Sequence, residues 1–194
     1  MAMALRLMGW VLALGALLVS LVVPPAAGAT EATWRAIERP GHIVLMRHAE
    51  APGVGDPPGL DLANCATQRN LDANGRAQAQ RIGEQARKFG VTFERVLSSA
   101  WCRCLETGRL ITGTEPTVLP SLNSFFGESQ RGPQQIEQLR RDIKALPRDE
   151  TVLLVTHQVV VTGLTGLNPA SGEIVVLERK ADDSLTVVGR ILVR

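Results

Sequence analysis

His42-Ile43-Val44-Leu45-Met46-Arg47-His48-Ala49-Glu50 is the stretch whose reading decides the fold. The apolar run Ile43–Met46 reads as a short buried strand, and Arg47 and His48 stand at its carboxyl end. Ligands bind at the carboxyl ends of strands in open α/β sheets. An arginine beside a histidine at such an edge fits a phosphoryl group, with the guanidinium as clamp and the imidazole as nucleophile. A histidine that ends a strand is more often a hydrogen-bonded structural residue, so the pair needs support from elsewhere in the chain.

Outward from this strand, Thr30–Pro40 reads as a connecting segment, and Ala51–Asn70 as a long loop rich in Pro, Gly and Asp. Long loops beside a site are usually functional. Asp72 reads as a helix N-cap, with Ala79, Ile82, Ala86 and Phe89 at helical spacing and Gly90 as the stop. Arg95–Ser98 reads as a second strand, Trp101–Ile111 as a helix and Thr117–Leu119 as a third strand. Pro120–Gly132 is a second loop. Pro133 opens a helix whose face is Ile136, Leu139, Ile143 and Leu146. Thr151–Thr156 is apolar enough for a central strand buried on both sides, and His157 follows it. Glu173–Glu178 and Leu185–Val193 close the chain as a hairpin around Asp182-Asp183-Ser184. This alternation predicts a three-layer αβα sandwich with a mostly parallel central sheet.

The first 29 residues read as a secretory signal peptide. Arg6 is the positive n-region, Leu7–Val23 the apolar core, and Ala27-Gly28-Ala29 the small-residue cleavage site. An uncleaved anchor is the competing reading. With cleavage after Ala29, residues 30–194 are one domain of about 165 residues with a real core, soluble and exported, most simply to the periplasm. Loss of Arg6 from the 21 basic residues leaves 20 against 19 acidic ones, a net charge of about +1. No basic stripe with interleaved aromatics is present, so nucleic acid is not an expected partner.

All three cysteines, Cys65, Cys102 and Cys104, lie in the exported part. An oxidising compartment permits one disulfide, Cys65 with Cys102 or with Cys104. Three separate buried thiols are the alternative. The surroundings lack the spacing of a structural zinc site.

His48, Arg103 and His157 each follow one of the expected parallel strands, which would turn all three into one crevice. The sequence here resembles the histidine phosphatase superfamily (phosphoglycerate mutase-like). Arg47-His48 resembles its strand-end signature, whose third residue is usually glycine where Ala49 stands. Asn70-Leu71-Asp72-Ala73-Asn74-Gly75-Arg76-Ala77-Gln78-Ala79 resembles its Leu-Ser/Thr-x-x-Gly-x-x-Gln-Ala helix entry. Ser98-Ser99-Ala100-Trp101-Cys102-Arg103-Cys104-Leu105-Glu106-Thr107 resembles its Ser-Ser-Pro-x-x-Arg-x-x-x-Thr segment, and Val155-Thr156-His157 its second histidine.

The resemblance implies an exported, metal-independent phosphatase that acts on a small phosphorylated substrate without a cofactor. His48 would attack phosphorus and carry the phosphoryl group. Arg47, Arg103 and His157 would hold the phosphoryl oxygens. The proton donor to the leaving oxygen is poorly filled. Glu128, just after Phe126-Gly127, is one candidate and Asp56 in the first loop the other. Glu50 would support the turn that carries His48, and Arg69 would stand at the entrance. The cysteine-bearing segments look most like small extracytoplasmic bacterial members, some of which are linked to phosphorylated envelope sugars. Two other functions remain: a protein that binds phosphorylated ligands in the same pocket without turnover, and a mutase.

Overall fold

The computed structural model describes residues 27–39 and 42–193. The expected leader lies outside the described residues except for Ala27–Ala29, which open helix α1 (Ala27–Ile37). Six strands follow in chain order: β1 (His42–Arg47), β2 (Arg95–Ser98), β3 (Thr117–Val118), β4 (Val152–Thr156), β5 (Ile174–Arg179) and β6 (Leu185–Ile191). They form one sheet in the order β3-β2-β4-β1-β5-β6. β1 pairs with β4, β4 with β2, and β2 with β3, all parallel, while β5 and β6 join as an antiparallel hairpin beside β1. The three-layer α/β architecture expected from the sequence is therefore the one observed.

Helices cover both faces: α2 (Ala73–Lys88) and α3 (Cys102–Thr112) with α1 on one side, α4 (Gly132–Ala145) and α5 (Gln158–Thr165) on the other. Side chains alternate across a strand. Val44 and Met46 enter the core under α1, α2 and α3, with Ile82 and Ile111, while Ile43 and Leu45 enter the core under α4 and α5, with Leu139 and Val161. β4 is buried along its whole length, as a central parallel strand must be.

Two helices were not legible in the sequence. The segment expected as a connector is α1, whose Trp34 and Ile37 are buried and whose Trp34 ring stacks on Phe89 at 5.9 Å. The stretch after His157 is α5, although Val159-Val160-Val161-Thr162 is β-branched and a poor helix former. Burial of Val160, Val161 and Leu164 outweighs that propensity, and Gly166 ends the helix with a positive φ of 75°. Among the described residues, no helix is long and apolar enough to cross a membrane.

The sheet register positions the site. Arg47 lies opposite Thr156, and Ser98 opposite Val155, so β1, β2 and β4 end at one level. The backbone ties continue one step further: His48 N–H donates to Thr156 O at 2.9 Å, and Ser99 N–H to Val155 O at 3.0 Å.

Candidate active site

Four residues hold the turn 48–50 in place. Ala49 N–H donates to Thr107 Oγ1 at 3.1 Å, and Thr107 Oγ1 donates to Arg103 O at 2.6 Å. Glu50 N–H donates to Gln78 Oε1 at 3.0 Å, and Gln78 Nε2 donates to Ser171 O, also at 3.0 Å. Gly75, in the first turn of α2, lies against the Glu50 carbonyl so closely that a Cβ there would clash with backbone. Asp72 caps that helix, its side chain accepting from Gly75 N–H at 2.7 Å. The glycine, glutamine and threonine of the sequence motifs are thus supports for the turn behind His48. Ala49 is fully buried and has no positive φ, so its methyl group stands without backbone strain where a glycine is more usual.

His48 is 2% exposed. Its Nδ1 lies 2.7 Å from the Ala49 carbonyl, which only accepts, so Nδ1 carries the proton and donates. Nε2 is then a free lone pair, and Arg103 Nε–H donates to it at 3.2 Å. Burial pushes the imidazole down to about 3; the Ala49 hydrogen bond opposes this, and the charges of Arg103, Arg47 and Arg69 reinforce it. His48 is neutral at physiological pH, with its basic nitrogen turned to a cluster of guanidinium groups.

Arg103, at the start of α3, is buried and holds three partners besides His48. Its Nη1 and Nη2 grip the Asp56 carboxylate at 2.6 and 3.0 Å, and Nη1 also donates to Arg69 O at 3.1 Å. Nη2 points to His157 Nδ1 at 3.4 Å. His157 is buried, and its Nε2 lies 2.7 Å from Ser99 Oγ. Since Arg103 only donates, Nδ1 is the acceptor and Nε2–H donates to Ser99. Burial, followed by the neighbouring His48 and Arg103, holds His157 well below its ordinary value. In this state the nitrogen facing Arg103 carries no proton to donate. Arg47 gives Nη1 to Pro169 O at 3.0 Å, while its buried Nε–H has no hydrogen-bond partner among the described residues.

These groups line one cleft of about 670 Å³, together with Asp56, Arg69, Trp101, Phe126 and Glu128. The structure therefore brings Arg47, His48, Arg103 and His157 together. It treats the two candidate acids differently. Glu128 stands exposed at the rim, paired with Arg131 at 2.7 Å. Asp56 is deep in the cleft, where it also accepts from Trp101 Nε1 at 3.0 Å and from Arg69 N–H at 3.3 Å. Burial works to raise its carboxyl, but the Arg103 hydrogen bonds and charge, with the Trp101 and Arg69 donors, outweigh that and hold it below the ordinary value. Arg69 is turned inward: it donates to Gly55 O at 2.7 Å and to Ala51 O, and so shapes the first loop. Ser99, Trp101 and Asn123 were not singled out by the sequence. Ser99 is the second serine of the motif segment, which was the available signal.

Cys65 is bonded to Cys102. Cys104, two residues on, is fully buried with its Sγ 3.5 Å from His157 Nε2, facing the core and not the loop. Burial pushes this thiol up to about 12, against the pull of Arg103. Among the described residues, no cluster of three or more His, Cys, Asp or Glu is placed to hold a metal ion.

The histidine phosphatase superfamily (branch 1) matches residues 43–139, half of the chain, from β1 into α4. The chain belongs to the histidine phosphatase superfamily. Within it, the chain is similar to the mitochondrial serine/threonine-protein phosphatase Pgam5 of Drosophila grimshawi, 33% identical over 70 residues, or 36% of this chain and 22% of that one. The matched stretch is thus about a fifth of the relative's length. Among solved structures, the protein histidine phosphatase SixA complexed with tungstate superposes with a TM-score of 0.56 at 20% identity, over 77% of this chain and 96% of that one. A phosphoserine phosphatase from Entamoeba histolytica in complex with 3-phosphoglyceric acid superposes with a TM-score of 0.58 at 14% identity, over 79% and 98%. At these identities the two structures speak for the fold, which is phosphoglycerate mutase-like.

Proposed function

We propose that this superfamily member is a phosphatase that hydrolyses phosphate monoesters through a phosphohistidine on His48. The observation that carries this reading is the state of His48: Nδ1–H fixed to the Ala49 carbonyl, Nε2 unprotonated and accepting from Arg103. Nε2 attacks phosphorus and the ester oxygen departs. Arg103 turns its Nε–H from Nε2 to a phosphoryl oxygen, and Arg47 offers its unpartnered Nε–H. An incoming phosphate dianion favours protonation of His157 at Nδ1, which then donates to the same oxygens. Water cleaves the P–N bond and returns neutral His48. The cations that the reaction needs are side chains of the chain itself, so the proposed mechanism uses no metal and no cofactor.

Export to the periplasm is part of the proposal, as is membership of the small extracytoplasmic bacterial branch. The apolar leader supports it, and so does the Cys65–Cys102 bond, which persists in oxidising compartments. The competing reading, a non-catalytic binder of phosphorylated ligands, draws on the engagement of both cleft carboxylates in ion pairs. Trapping of ³²P as an acid-labile adduct separates the two. Wild-type protein is expected to be labelled and His48→Ala is not. Absence of label on both, with phosphate esters still bound, would establish the binder.

A further inference from the structure

The leaving-group side of the cleft differs from its phosphoryl side. Seven large apolar side chains are exposed among the described residues, and three of them, Val54, Leu62 and Phe126, line this one cleft. Single exposed apolar residues need no explanation, but a group around a polar well does. Val54 and Leu62 come from the first loop and Phe126 from the second. The Phe126 ring lies over Gly55, where a Cβ would be 3.7 Å from its Cε1. Gly55 directly precedes Asp56, so the apolar mouth begins one residue from the Arg103 clamp. Leu60 and Val159 extend it. A sugar, with a hydroxyl on nearly every carbon, would find its partners in Asn123, Ser124 and Gln158, which share the cleft, and not on these apolar side chains. A flat apolar ring would find apolar contacts on these side chains.

The carboxylates of the cleft point the same way. Asp56 is gripped by Arg103 and Trp101, and Glu128 is tied to Arg131 at the rim. In this arrangement each carboxylate is engaged by an arginine. An aliphatic alkoxide, whose conjugate acid resembles water with a pKa near ~15.7, leaves poorly without a proton. A phenolate, whose conjugate acid has a pKa near ~10, leaves as the anion. We infer that the cleft takes phosphate monoesters of aromatic alcohols, of the phenyl phosphate or phosphotyrosine type, in preference to those of aliphatic alcohols and sugars. This rests on the phosphatase reading above. In the first step the His48 Nε2–P bond forms and the P–O(aryl) bond breaks. The phenolate takes its proton from solvent water, and the hydroxide equivalent so formed is consumed when the phosphohistidine is hydrolysed to inorganic phosphate.

The test uses the purified protein with four phosphoryl donors: phenyl phosphate, cyclohexyl phosphate, a hexose 6-phosphate, and phosphoramidate as a small activated control. Cyclohexyl phosphate matches phenyl phosphate in size and apolarity, but its leaving group is aliphatic. Phenyl phosphate is expected to exceed cyclohexyl phosphate in kcat/KM on the order of a hundredfold, the low end of what a general acid would supply. Both should exceed the hexose phosphate. Phe126→Ser should raise KM for phenyl phosphate, relative to that for phosphoramidate, by about two- to tenfold, the worth of an aromatic contact. Phe126 is exposed, so the variant should fold, which a melting curve checks. If phosphoramidate labels His48 while the alkyl or hexose phosphate turns over as fast as the aryl one, the aromatic assignment is overturned and the phosphatase stands. An unchanged KM ratio in Phe126→Ser overturns it too. If no donor labels His48, phosphoramidate included, the phosphatase reading itself fails.

Discussion

The Arg103 guanidinium is divided between two edges: its Nε–H donates to His48 Nε2 at 3.2 Å, while Nη1 and Nη2 hold the Asp56 carboxylate at 2.6 and 3.0 Å. Asp56 thereby fixes the orientation of the edge that faces His48, the proposed nucleophile. In the proposed mechanism it acts through Arg103 and is a positioning residue.

Asp56→Asn should therefore lower kcat by about tenfold for good and poor leaving groups alike, since a misaligned donor loses part of its transition-state stabilisation. Steady-state rates on phenyl and cyclohexyl phosphate measure this. A loss confined to cyclohexyl phosphate would make Asp56 the proton donor. Arg103→Lys should cost more, about a hundredfold or more, because one ammonium cannot serve both edges.

The two buried histidines give stability a definite dependence on pH. Both fold in the neutral form, with His48 held down to about 3 and His157 well below its ordinary value. As pH falls below about 6.5, the unfolded chain binds protons that the folded chain does not. Each histidine then removes about 1.4 kcal/mol of stability per pH unit, and the loss from His48 stops near its folded value. Asp56, whose folded carboxyl lies below its ordinary value of 3.8, adds to the loss only as pH falls through that region. Urea midpoints at pH 7.5, 6 and 5 should decline more steeply for wild type than for His48→Asn. Parallel declines would place His48 in a solvated environment.

Gly75→Ala tests the support beneath the turn. The new methyl group would meet the Glu50 carbonyl, which is backbone and cannot swing away. Either α2 or the 48–50 turn must shift, at a cost of about 1–3 kcal/mol for an overpacked contact. Because Ala49 O holds His48 Nδ1, a shifted turn also misaims Nε2. The variant should melt lower and also lose kcat. A lower melting temperature with unchanged kcat would mean that α2 yields instead.

What the sequence made legible was whatever periodicity carries. Apolar runs at Ile43–Met46 and Thr151–Thr156 placed His48 and His157 at strand ends, and the parallel sheet then forced them together. Asp56 was legible only as a carboxylate in a loop. Its contact with Arg103 spans 47 residues and depends on how Arg69 folds that loop, which has no period to read. Glu128 is a candidate acid by its place after Phe126-Gly127, but a neighbour three residues on, Arg131, holds it at the rim. α5 is hidden in the sequence because its valines favour strands until the core beneath them is known.

The Cys65–Cys102 bond joins the first loop to the residue before Arg103, across 37 positions. Gln68 Oε1 accepts from Cys102 N–H at 3.0 Å in the same place, so the loop is docked both covalently and by hydrogen bonding. In the chain-entropy account a link of this length contributes roughly 2–4 kcal/mol, and its loss should lower Tm on the order of 10 °C. Cys65→Ser, or wild type under dithiothreitol, should show that shift and new proteolytic cleavage within residues 51–70. KM should rise with it, because Asp56, Val54 and Leu62 ride on the released loop while His48 and His157 stay at the ends of the sheet strands. Mass mapping that found Cys65 and Cys102 as free thiols in protein folded under oxidising conditions, or an unchanged KM in the Cys65→Ser variant, would sever this loop from control of the site.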